Sequence, residues 1–356
     1  MMRVKLVVSD FHLGTGQRQA DGSLNPIEDF LLDDRFIEFI EYHATGDYTT
    51  AEVELVINGD FFNMLQGEVD GVVPSDVTET IARRQLEAIF AGHARLFDSL
   101  RAFAEQPGKK LTFILGNHDA GLVFPAAKEL LRQRLGEQIQ IHNRSYVFDD
   151  VHVEHGDRYE PAHRVDPKLP ILSKGLAQGV VNLPWASYFF IHFVRKIKAR
   201  RAYIDKVKPF RHYLTWAALY DFRFFLVMMA RLIGFVFWTA AFGRVGHKRF
   251  GFRSLLMLVE QARGDAEARA ARQLLKVGKA NIVIFGHTHH PIYRQWLPGR
   301  EYLNTGCWNG ITHLDIERYG FQVQLAYAQL EWNGRRWLAA LRRWKGRTRP
   351  YEDFLA

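Results

Sequence analysis

Five short apolar runs along the chain each adjoin a polar cluster rich in Asp, His, Asn and Gly. The runs span residues 4–8, 53–57, 111–115, 147–153 and 282–285. Their brevity, β-branched residues and flanking glycines are typical of buried strands. Two longer segments, 30–43 and 81–104, carry apolar residues at helical spacing instead. Strands that alternate with helices predict an α/β layered fold, in which ligands gather beyond the carboxyl ends of the strands.

The segment 161–278 interrupts this alternation. It is aromatic, basic and apolar by turns, and it contains no strand-like run followed by a polar cluster. We therefore predict a mainly helical insertion at 161–278 within a catalytic domain formed by residues 1–160 and 279–330. Residues 331–356 are basic and rich in tryptophan, and they are interpreted as a C-terminal tail.

Composition and charge narrow the class of protein. The chain has 356 residues, of which 47% are hydrophobic, enough for one large domain with an elaborate insertion or for two modest domains. The single cysteine, Cys307, excludes an internal disulfide. Together with an N-terminus that does not read as a secretory signal, it predicts a cytoplasmic location. The net charge of +8 favours anionic partners such as phosphates, lipid head groups or nucleic acid.

The polar clusters supply side chains that hold divalent metal ions. They are Asp10-Phe11-His12, Gly59-Asp60, Gly116-Asn117-His118-Asp119, Glu154-His155-Gly156-Asp157 and Gly286-His287-Thr288-His289. Singly, each has an ordinary structural explanation, since turns favour Gly, Asn and Asp. In order, and each beside a predicted strand, they indicate one site. Two divalent ions roughly 3.5–4 Å apart need such carboxylate, amide and imidazole ligands, and they make hydroxide available at neutral pH to attack phosphorus.

This ordered set resembles the calcineurin-like metallophosphoesterase family, whose pattern is Asp-x-His, Gly-Asp, Gly-Asn-His, a lone His, and Gly-His-x-His. The resemblance implies two packed mixed β-sheets flanked by helices, with the site at one edge of the sandwich. It also implies a metal-dependent phosphoester hydrolase with two divalent metal ions. Oxygen and imidazole ligands without thiolate suit Mn, Fe, Zn or Co, and we expect Mn.

Carried over residue by residue, the resemblance assigns two sets of metal ligands. The first is Asp10, His12, Asp60 and His289; the second is Asp60, Asn117, His155 and His287, with Asp60 bridging. His118 is expected to stabilise or protonate the leaving oxygen. Asp119 either orients His118 or closes the turn, and the turn is favoured. Asn63 stands where relatives often carry an acid, so a charged partner for His118 is in question. Asp157 is expected to hydrogen-bond beside the ligands.

The insertion contains an apolar stretch, 224–243, that is nearly long enough to span a bilayer. Arg231 near its middle would cost about 2.5–3.5 kcal/mol on insertion scales. Three alternatives stay open: a buried helix of a cap domain, an interfacial helix, and a less favoured transmembrane span. A basic cluster lies at 195–211 beside aromatic residues, and residues 331–356 combine tryptophans with arginines.

Basic residues beside aromatic and apolar surface favour an anionic bilayer over the alternative of solvated basic faces. For 331–356 the alternative is a final helix that packs on the core. We therefore expect peripheral attachment to the inner face of the cytoplasmic membrane. The oligomeric state is left open.

The layout is similar to that of bacterial UDP-2,3-diacylglucosamine pyrophosphatase-like members of the family, which carry a helical insertion in the same interval. Those members typically have Gly-Asn-Arg-Asp where this chain has Gly116-Asn117-His118-Asp119, so the substrate does not simply carry over. The expected function is hydrolysis of a phosphoester or pyrophosphate in a lipid-linked substrate. Arg195, Lys198 and Arg201 are the candidate substrate-binding residues.

The alternative function is a nuclease or soluble nucleotide phosphodiesterase whose basic clusters bind nucleic acid. It ranks second because the aromatic residues lie in apolar runs, whereas a platform for base stacking would alternate aromatic with polar residues.

Overall fold

The computed structural model describes residues 2–19, 21–70, 73–242, 244–245, 247–251, 266–315 and 319–354. The helices of these residues are α1 Asp33–Tyr42, α2 Glu79–Gly92, α3 Ala94–Ala104, α4 Pro125–Leu135, α5 Trp185–Phe189, α6 Arg195–Lys198, α7 Phe210–Tyr220, α8 Phe222–Ala241 and α9 Ala266–Lys276. A π-helical segment, Phe190–Val194, joins α5 to α6.

The strands are β1 Arg3–Val8, β2 Glu52–Asn58, β3 Lys109–Ile114, β4 Gln140–His142, β5 Ser145–Phe148, β6 Val151–Glu154, β7 Ile171–Leu172, β8 Val180–Val181, β9 Val207–Lys208, β10 Arg244–Val245, β11 Lys248–Arg249, β12 Ile282–Phe285, β13 Pro291–Leu297, β14 Arg300–Thr305, β15 Gly310–His313, β16 Gly320–Val323, β17 Ala326–Trp332, β18 Trp337–Trp344 and β19 Tyr351–Asp353.

Two mixed sheets form the centre of the molecule. The seven-stranded sheet has the order β19-β18-β17-β1-β2-β3-β4, and the five-stranded sheet has the order β13-β14-β12-β6-β5. Strands β1, β2 and β3 are parallel neighbours in the first sheet, as are β6 and β12 in the second. Their carboxyl ends therefore present the loops that follow them at one edge of each sheet.

Alternating side chains of β1 show how the layers are packed. Leu6 and Val8 point into a core shared with α1 to α4, whereas Val7 points into a second core between the sheets, with Val153 and Ile284. Each such fully buried side chain contributes roughly 1.5–3 kcal/mol of hydrophobic stabilisation. The predicted α/β fold, with two packed mixed sheets flanked by helices, is confirmed.

Two predicted elements are divided in the structure. The run 147–153 is a hairpin of β5 and β6, because Asp149 turns the chain with a φ of 46°. The helical stretch 81–104 is two helices, α2 and α3, separated by His93 with φ −125° and ψ 33°. His93 is buried, and its Nδ1 lies 2.8 Å from the Asp33 carboxylate and its Nε2 3.8 Å from Glu28.

This buried imidazole makes folding stability depend on pH. Burial disfavours its charged form, but Asp33 and Glu28 outweigh burial and raise the pKa of His93 to about 9. Because the folded pKa exceeds the unfolded value, the stabilisation is fully present below about pH 6.5 and is lost as the pH rises towards 9. The free energy of unfolding is therefore expected to fall by roughly 3 kcal/mol between about pH 6.5 and pH 9 because of His93, and His93→Gln should remove this fall. Urea titrations at these two pH values measure it. Parallel pH profiles for both proteins would contradict the assignment.

In the described part of the predicted tail, residues 331–354, the chain forms neither a separate tail nor a final helix. Strand β18 pairs with β17 over its length, and β19 extends the same sheet. Trp337 and Trp344 are 3% and 1% exposed, and the Trp344 ring packs 5.4 Å from that of Phe39. Arg342 and Arg343 form ion pairs with β19. These tryptophans are therefore core residues and are not available to a membrane surface.

The insertion is mainly helical in the part that the structure describes. Residues of α6, α7, α8 and the π-helical segment share a small apolar core that includes Phe193, Ile197, Tyr213 and Met228. Helix α8 is long and apolar enough to cross a membrane, yet only 17% of its apolar stretch is buried. Of the three alternatives for this stretch, the buried helix of a cap domain is therefore not what the structure shows. The division of the chain at residues 160 and 278 stays a prediction.

Candidate metal centre

Each candidate metal ligand, like His118, follows the carboxyl end of a strand. Asp10 and His12 follow β1, Asp60 follows β2, Asn117 and His118 follow β3, His155 follows β6, and His287 and His289 follow β12. Six of these eight side chains line one cavity of about 190 Å³. The other two, Asp10 and His155, are 0% exposed and contact the cavity-lining residues. The predicted convergence of distant segments at one edge is what the structure shows.

Asp10, His12 and His289 form the first group of potential metal ligands. Their ligand atoms lie within 4.8 Å of one another. The Nε2 atoms of His12 and His289 are 3.1 Å apart, and His289 Nε2 lies 3.3 Å from Asp10 Oδ1. Asp60 Oδ2 lies 3.8 Å from His12 Nε2, so Asp60 also borders this group.

Asp60, His155 and His287 form the second group, with ligand atoms again within 4.8 Å of one another. The distance from His155 Nε2 to Asp60 Oδ2 is 3.2 Å. Asp60 thus borders both groups, as a bridging ligand must. Asn117 lines the same cavity.

The donor atoms fit divalent cations. Asp10 Oδ1, Asn117 Oδ1 and His155 Nε2 are buried and have no hydrogen-bond partner of good geometry among the described residues. Buried polar atoms normally find such a partner, so atoms left without one at a shared centre are suited to a ligand. Carboxylate, amide and imidazole donors without thiolate match borderline and hard divalent ions.

The backbone around the site is strained in a consistent way. Asp10, His12, Asp60, His287 and His289 all have φ between 50° and 69°. This left-handed region is uncommon for residues with a side chain, and such residues cluster at functional sites. The surrounding sheet edges must therefore hold these five residues in place.

Glycines in the same motifs allow the loops to approach closely. A Cβ atom on Gly116 would lie 2.3 Å from Asp60 Oδ1, and one on Gly59 would lie 2.4 Å from His155 Nδ1. A Cβ on Gly286 would lie 2.7 Å from Asp10 Oδ2. Each motif glycine therefore leaves room for a candidate ligand from another loop.

Replacing Gly116 with Ala is expected to displace Asp60 and thereby to weaken metal binding. We expect Kd for the metal to rise at least about tenfold, which corresponds to a loss of about 1.4 kcal/mol of binding free energy. Metal content after gel filtration, measured by plasma mass spectrometry, reports the effect. Gly234→Ala in α8 is the matched control, because nothing lies within 4 Å of a Cβ built there. Full metal occupancy in both variants would contradict this role for Gly116.

The electrostatics of the site favour positive charge at its centre. Burial opposes ionisation of Asp60, yet His155 and His118 outweigh it and hold the pKa of Asp60 well below its usual value. Burial likewise opposes protonation of His155, but Asp60 and Asp10 raise the pKa of that imidazole. Burial lowers the pKa of His12 to about 4. Carboxylates that stabilise a proton in this way also stabilise the metal ion that replaces it.

His118 lies beside the two groups of ligands. Its Nδ1 is 2.9 Å from Asn63 Oδ1, and Asn63 Nδ2 donates a 2.9 Å hydrogen bond to Asp29 Oδ2. An acid, Asp29, is therefore linked to His118, but indirectly, because Asn63 lies between them. Lys198 Nζ and Lys206 Nζ lie 2.6 Å and 3.1 Å from Asp29 Oδ1, so this chain of contacts ends in the insertion.

Asp119 closes the turn, as the sequence analysis favoured. Its carboxylate accepts the backbone N–H groups of Asp60, Phe62 and Gly116 at 2.7, 2.8 and 2.9 Å. Burial, together with the charge of Asp60, raises the pKa of Asp119 to about 7. Burial also raises the pKa of Asp157, although the nearby histidines act to lower it.

Glu160 and His163 were not identified from the sequence. Glu160 Oε2 lies 3.2 Å from His287 Nε2 and 3.1 Å from His163 Nδ1. A carboxylate on one ring nitrogen fixes the orientation of the imidazole and leaves the other nitrogen for a metal. The available signal was weak: an acid five residues after His155, outside every motif.

The three candidate substrate-binding residues lie in different environments. Lys198 is buried between Asp29 and Asp205, with Asp205 Oδ2 2.9 Å away. Arg201 pairs with Asp221 at 2.8 Å. Arg195 pairs with Glu68 and lines a cavity that adjoins the metal centre. Their role in substrate binding stays a prediction.

The calcineurin-like phosphoesterase family model matches residues 5–291, which include every candidate ligand. The chain belongs to this family and is a metal-dependent phosphoesterase. A search of curated proteins found no match.

Solved structures with distant similarity include a single mutant of Vps29 from Entamoeba histolytica, with 11% identity, 99% of each chain covered and a TM-score of 0.32. An uncharacterised protein of Streptococcus pneumoniae, described as a predicted phosphoesterase, has 12% identity, covers 99% of this chain and 98% of its own, and has a TM-score of 0.30. A putative 5′-nucleotidase of Staphylococcus aureus has 14% identity and a TM-score of 0.35, and the match covers 93% of this chain and 51% of the nucleotidase.

Proposed function

We propose that the protein is a dinuclear hydrolase of phosphoester or pyrophosphate bonds in lipid-linked substrates at the inner face of the cytoplasmic membrane. Two groups of potential ligands, with Asp60 in one and bordering the other, support the dinuclear part of this proposal. Asp10, His12 and His289 would hold one ion, and Asn117, His155 and His287 the other; Mn²⁺ suits these donors. The ions, when bound, neutralise charge on the phosphoryl group and activate the water that attacks phosphorus.

The side chains around the ligands position the reaction. Asn63 keeps Nδ1 of His118 occupied, so the His118 ring is held in one orientation towards the cavity. From there it interacts with the leaving oxygen. Phe190 packs edge-on against His118 with ring centroids 5.0 Å apart, and it covers the cavity from the insertion side.

The lipid part of the proposal is carried by one observation, the exposed apolar surface of α8. Phe222, Leu226, Ile233 and Phe237 are 49–65% exposed and recur at helical spacing on one face. On α7, Leu219 and other large apolar residues are also exposed. An apolar surface of this kind, in a chain of net positive charge, is suited to an anionic bilayer.

The membrane prediction is tested by co-sedimentation with vesicles of phosphatidylglycerol and phosphatidylethanolamine. The double substitution Leu226→Glu and Phe237→Glu is expected to reduce the bound fraction at least about fivefold, because each places a charge on the apolar face. Val277→Glu, at a 62% exposed apolar residue beyond the insertion helices, is the control. Equal binding of all three proteins would contradict the proposal, as would equal rates on lipid substrate with and without vesicles.

The nuclease alternative makes a different prediction. Binding to DNA or RNA should then weaken steeply with salt, because neutralised phosphates release their counterions. The basic residues 342, 343 and 347 already pair with carboxylates in the structure, which leaves fewer cations for a nucleic-acid backbone. Nucleic-acid binding that falls with salt, without any effect of vesicles, would favour the alternative.

A further inference from the structure

A second, larger cavity opens beside the metal centre. It has a volume of about 760 Å³ and shares His12, Asp29 and Asn63 with the metal cavity. Its wall on the insertion side carries four basic residues, namely Arg195, Lys196, Arg200 and Arg231. A ligand at the metals can therefore extend past His12 into a space bordered by cations.

The acidic residues of this cavity already have partners. Glu28 accepts the backbone N–H groups of Gly14 and Gly16 at 2.9 and 2.7 Å. Asp29 is held by Lys198 and Lys206, and Glu68 by Arg195. These carboxylates are therefore not free to neutralise further cations.

The basic residues are less fully paired. Within the described ranges, no carboxylate lies within 4.0 Å of the cationic groups of Lys196, Arg200 or Arg231. The Nε of Arg195 is buried and has no hydrogen-bond partner there either. Positive charge thus remains uncompensated on one wall of the cavity, and an anion is the chemistry that compensates it.

Arg231 is the most informative of the four. It lies within the apolar helix α8 and lines the cavity. Val227 and Trp238, four positions before and seven after Arg231, lie on the same side of the helix and are 40% and 42% exposed. The helix thus offers a guanidinium group with apolar side chains on either side of it.

We propose that Arg195, Lys196, Arg200 and Arg231 form an anion-binding subsite that holds the second, non-reacting phosphate of a pyrophosphate-linked lipid. This inference rests on the proposed function and narrows it to substrates with two phosphoryl groups. The reacting phosphate lies at the metal centre, the second phosphate reaches the cationic wall, and the acyl chains follow Val227 and Trp238 towards the membrane. Arginine is well suited to the task, because its guanidinium group binds phosphate oxygens in pairs.

Calorimetric titration with two short-chain lipids tests the subsite. CDP-dioctanoylglycerol carries two phosphates, and dioctanoyl phosphatidic acid carries one. Both are titrated into the full-length Mn²⁺-loaded protein in a His118→Ala background, which slows turnover. Arg231→Gln and Arg200→Gln are each expected to weaken binding of the CDP lipid about tenfold, and binding of phosphatidic acid less than about twofold. Arg223→Gln, at an exposed arginine of the same helix that does not line the cavity, should change neither affinity.

The outcomes separate this inference from the proposed function. Equal weakening of both lipids, or no weakening of either, would overturn the subsite. Hydrolysis of bis-p-nitrophenyl phosphate by the protein without substitutions tests the metal centre independently. If Arg231→Gln and Arg200→Gln do not weaken binding of the CDP lipid selectively while that hydrolysis is intact, the subsite alone is removed. Selective binding without any hydrolysis in the presence of Mn²⁺, Fe²⁺, Zn²⁺ or Co²⁺ would support the subsite and overturn the proposed dinuclear mechanism.

Discussion

Replacing Asp60 with Ala is expected to abolish metal binding and hydrolysis together. The Asp60 carboxylate borders both groups of ligands, with Oδ2 3.2 Å from His155 and 3.8 Å from His12. Its Oδ1 accepts the backbone N–H of His118 at 2.8 Å. Removal of this carboxylate takes a ligand from both cations and leaves the histidines around it without the anion that they face.

Metal content and the rate of bis-p-nitrophenyl phosphate hydrolysis are the two measurements, and we expect each to fall to background. Asp149→Ala is the control, because Asp149 also has a positive φ, 46°. Asp149 precedes β6, whereas His155 follows it, so the two residues lie at opposite ends of this strand. That variant loses a hydrogen bond from Trp337 Nε1 and should unfold more easily while it keeps its metals. Metal retained by the Asp60 variant would exclude a bridging role.

Replacing His118 with Ala should have a different signature. His118 lies in the cavity and contacts Asn63. It lies close enough to His12 and Asp60 to share a cation with them, but the two groups of ligands described above are complete without it. We expect the metals to remain and kcat to fall by about two orders of magnitude, the usual size of a proton-transfer contribution. Metal analysis and steady-state kinetics on the same preparation separate this loss from the loss caused by Asp60→Ala.

A substrate with a better leaving group sharpens the test of His118. If the imidazole acts on the leaving oxygen, the rate deficit should shrink when that oxygen needs no proton, as with p-nitrophenolate. A deficit of the same size for good and poor leaving groups would remove His118 from leaving-group chemistry. His313→Ala, at a buried histidine outside the cavity, controls for general effects on folding.

The sequence predicted that the candidate ligands converge, because each lies at the end of a strand with its own local signal. Gly59-Asp60 and Gly286-His287 follow short β-branched runs, and the carboxyl ends of parallel neighbours necessarily meet. The partners of those ligands could not be predicted in this way. Asp29 reaches His118 through Asn63, and Glu160 reaches His287 because the loop after β6 folds back towards the site.

The errors in the predicted elements also have physical causes. The helical periodicity of 81–104 continues through His93 without interruption. The ion pair between His93 and Asp33 accompanies the break between α2 and α3, and a contact between residues this far apart cannot be predicted from the local pattern. In β18, Trp337, Leu341 and Trp344 are buried among arginines, and this spacing is as compatible with a helix as with a strand. Antiparallel pairing with β17 makes this segment a strand, and β17 in turn pairs with β1 from the opposite end of the chain, a contact that the local pattern does not reveal.

The candidate ligands come from both sheets: β1, β2 and β3 contribute from one, β6 and β12 from the other. A cation bound to both Asp60 and His155 would therefore link the two sheets. Since the unfolded chain does not hold these groups together, tight occupancy at a free metal concentration of one hundred times Kd would add about 2.7 kcal/mol to stability. The catalytic ions and the strained loops that hold them would then keep each other in place.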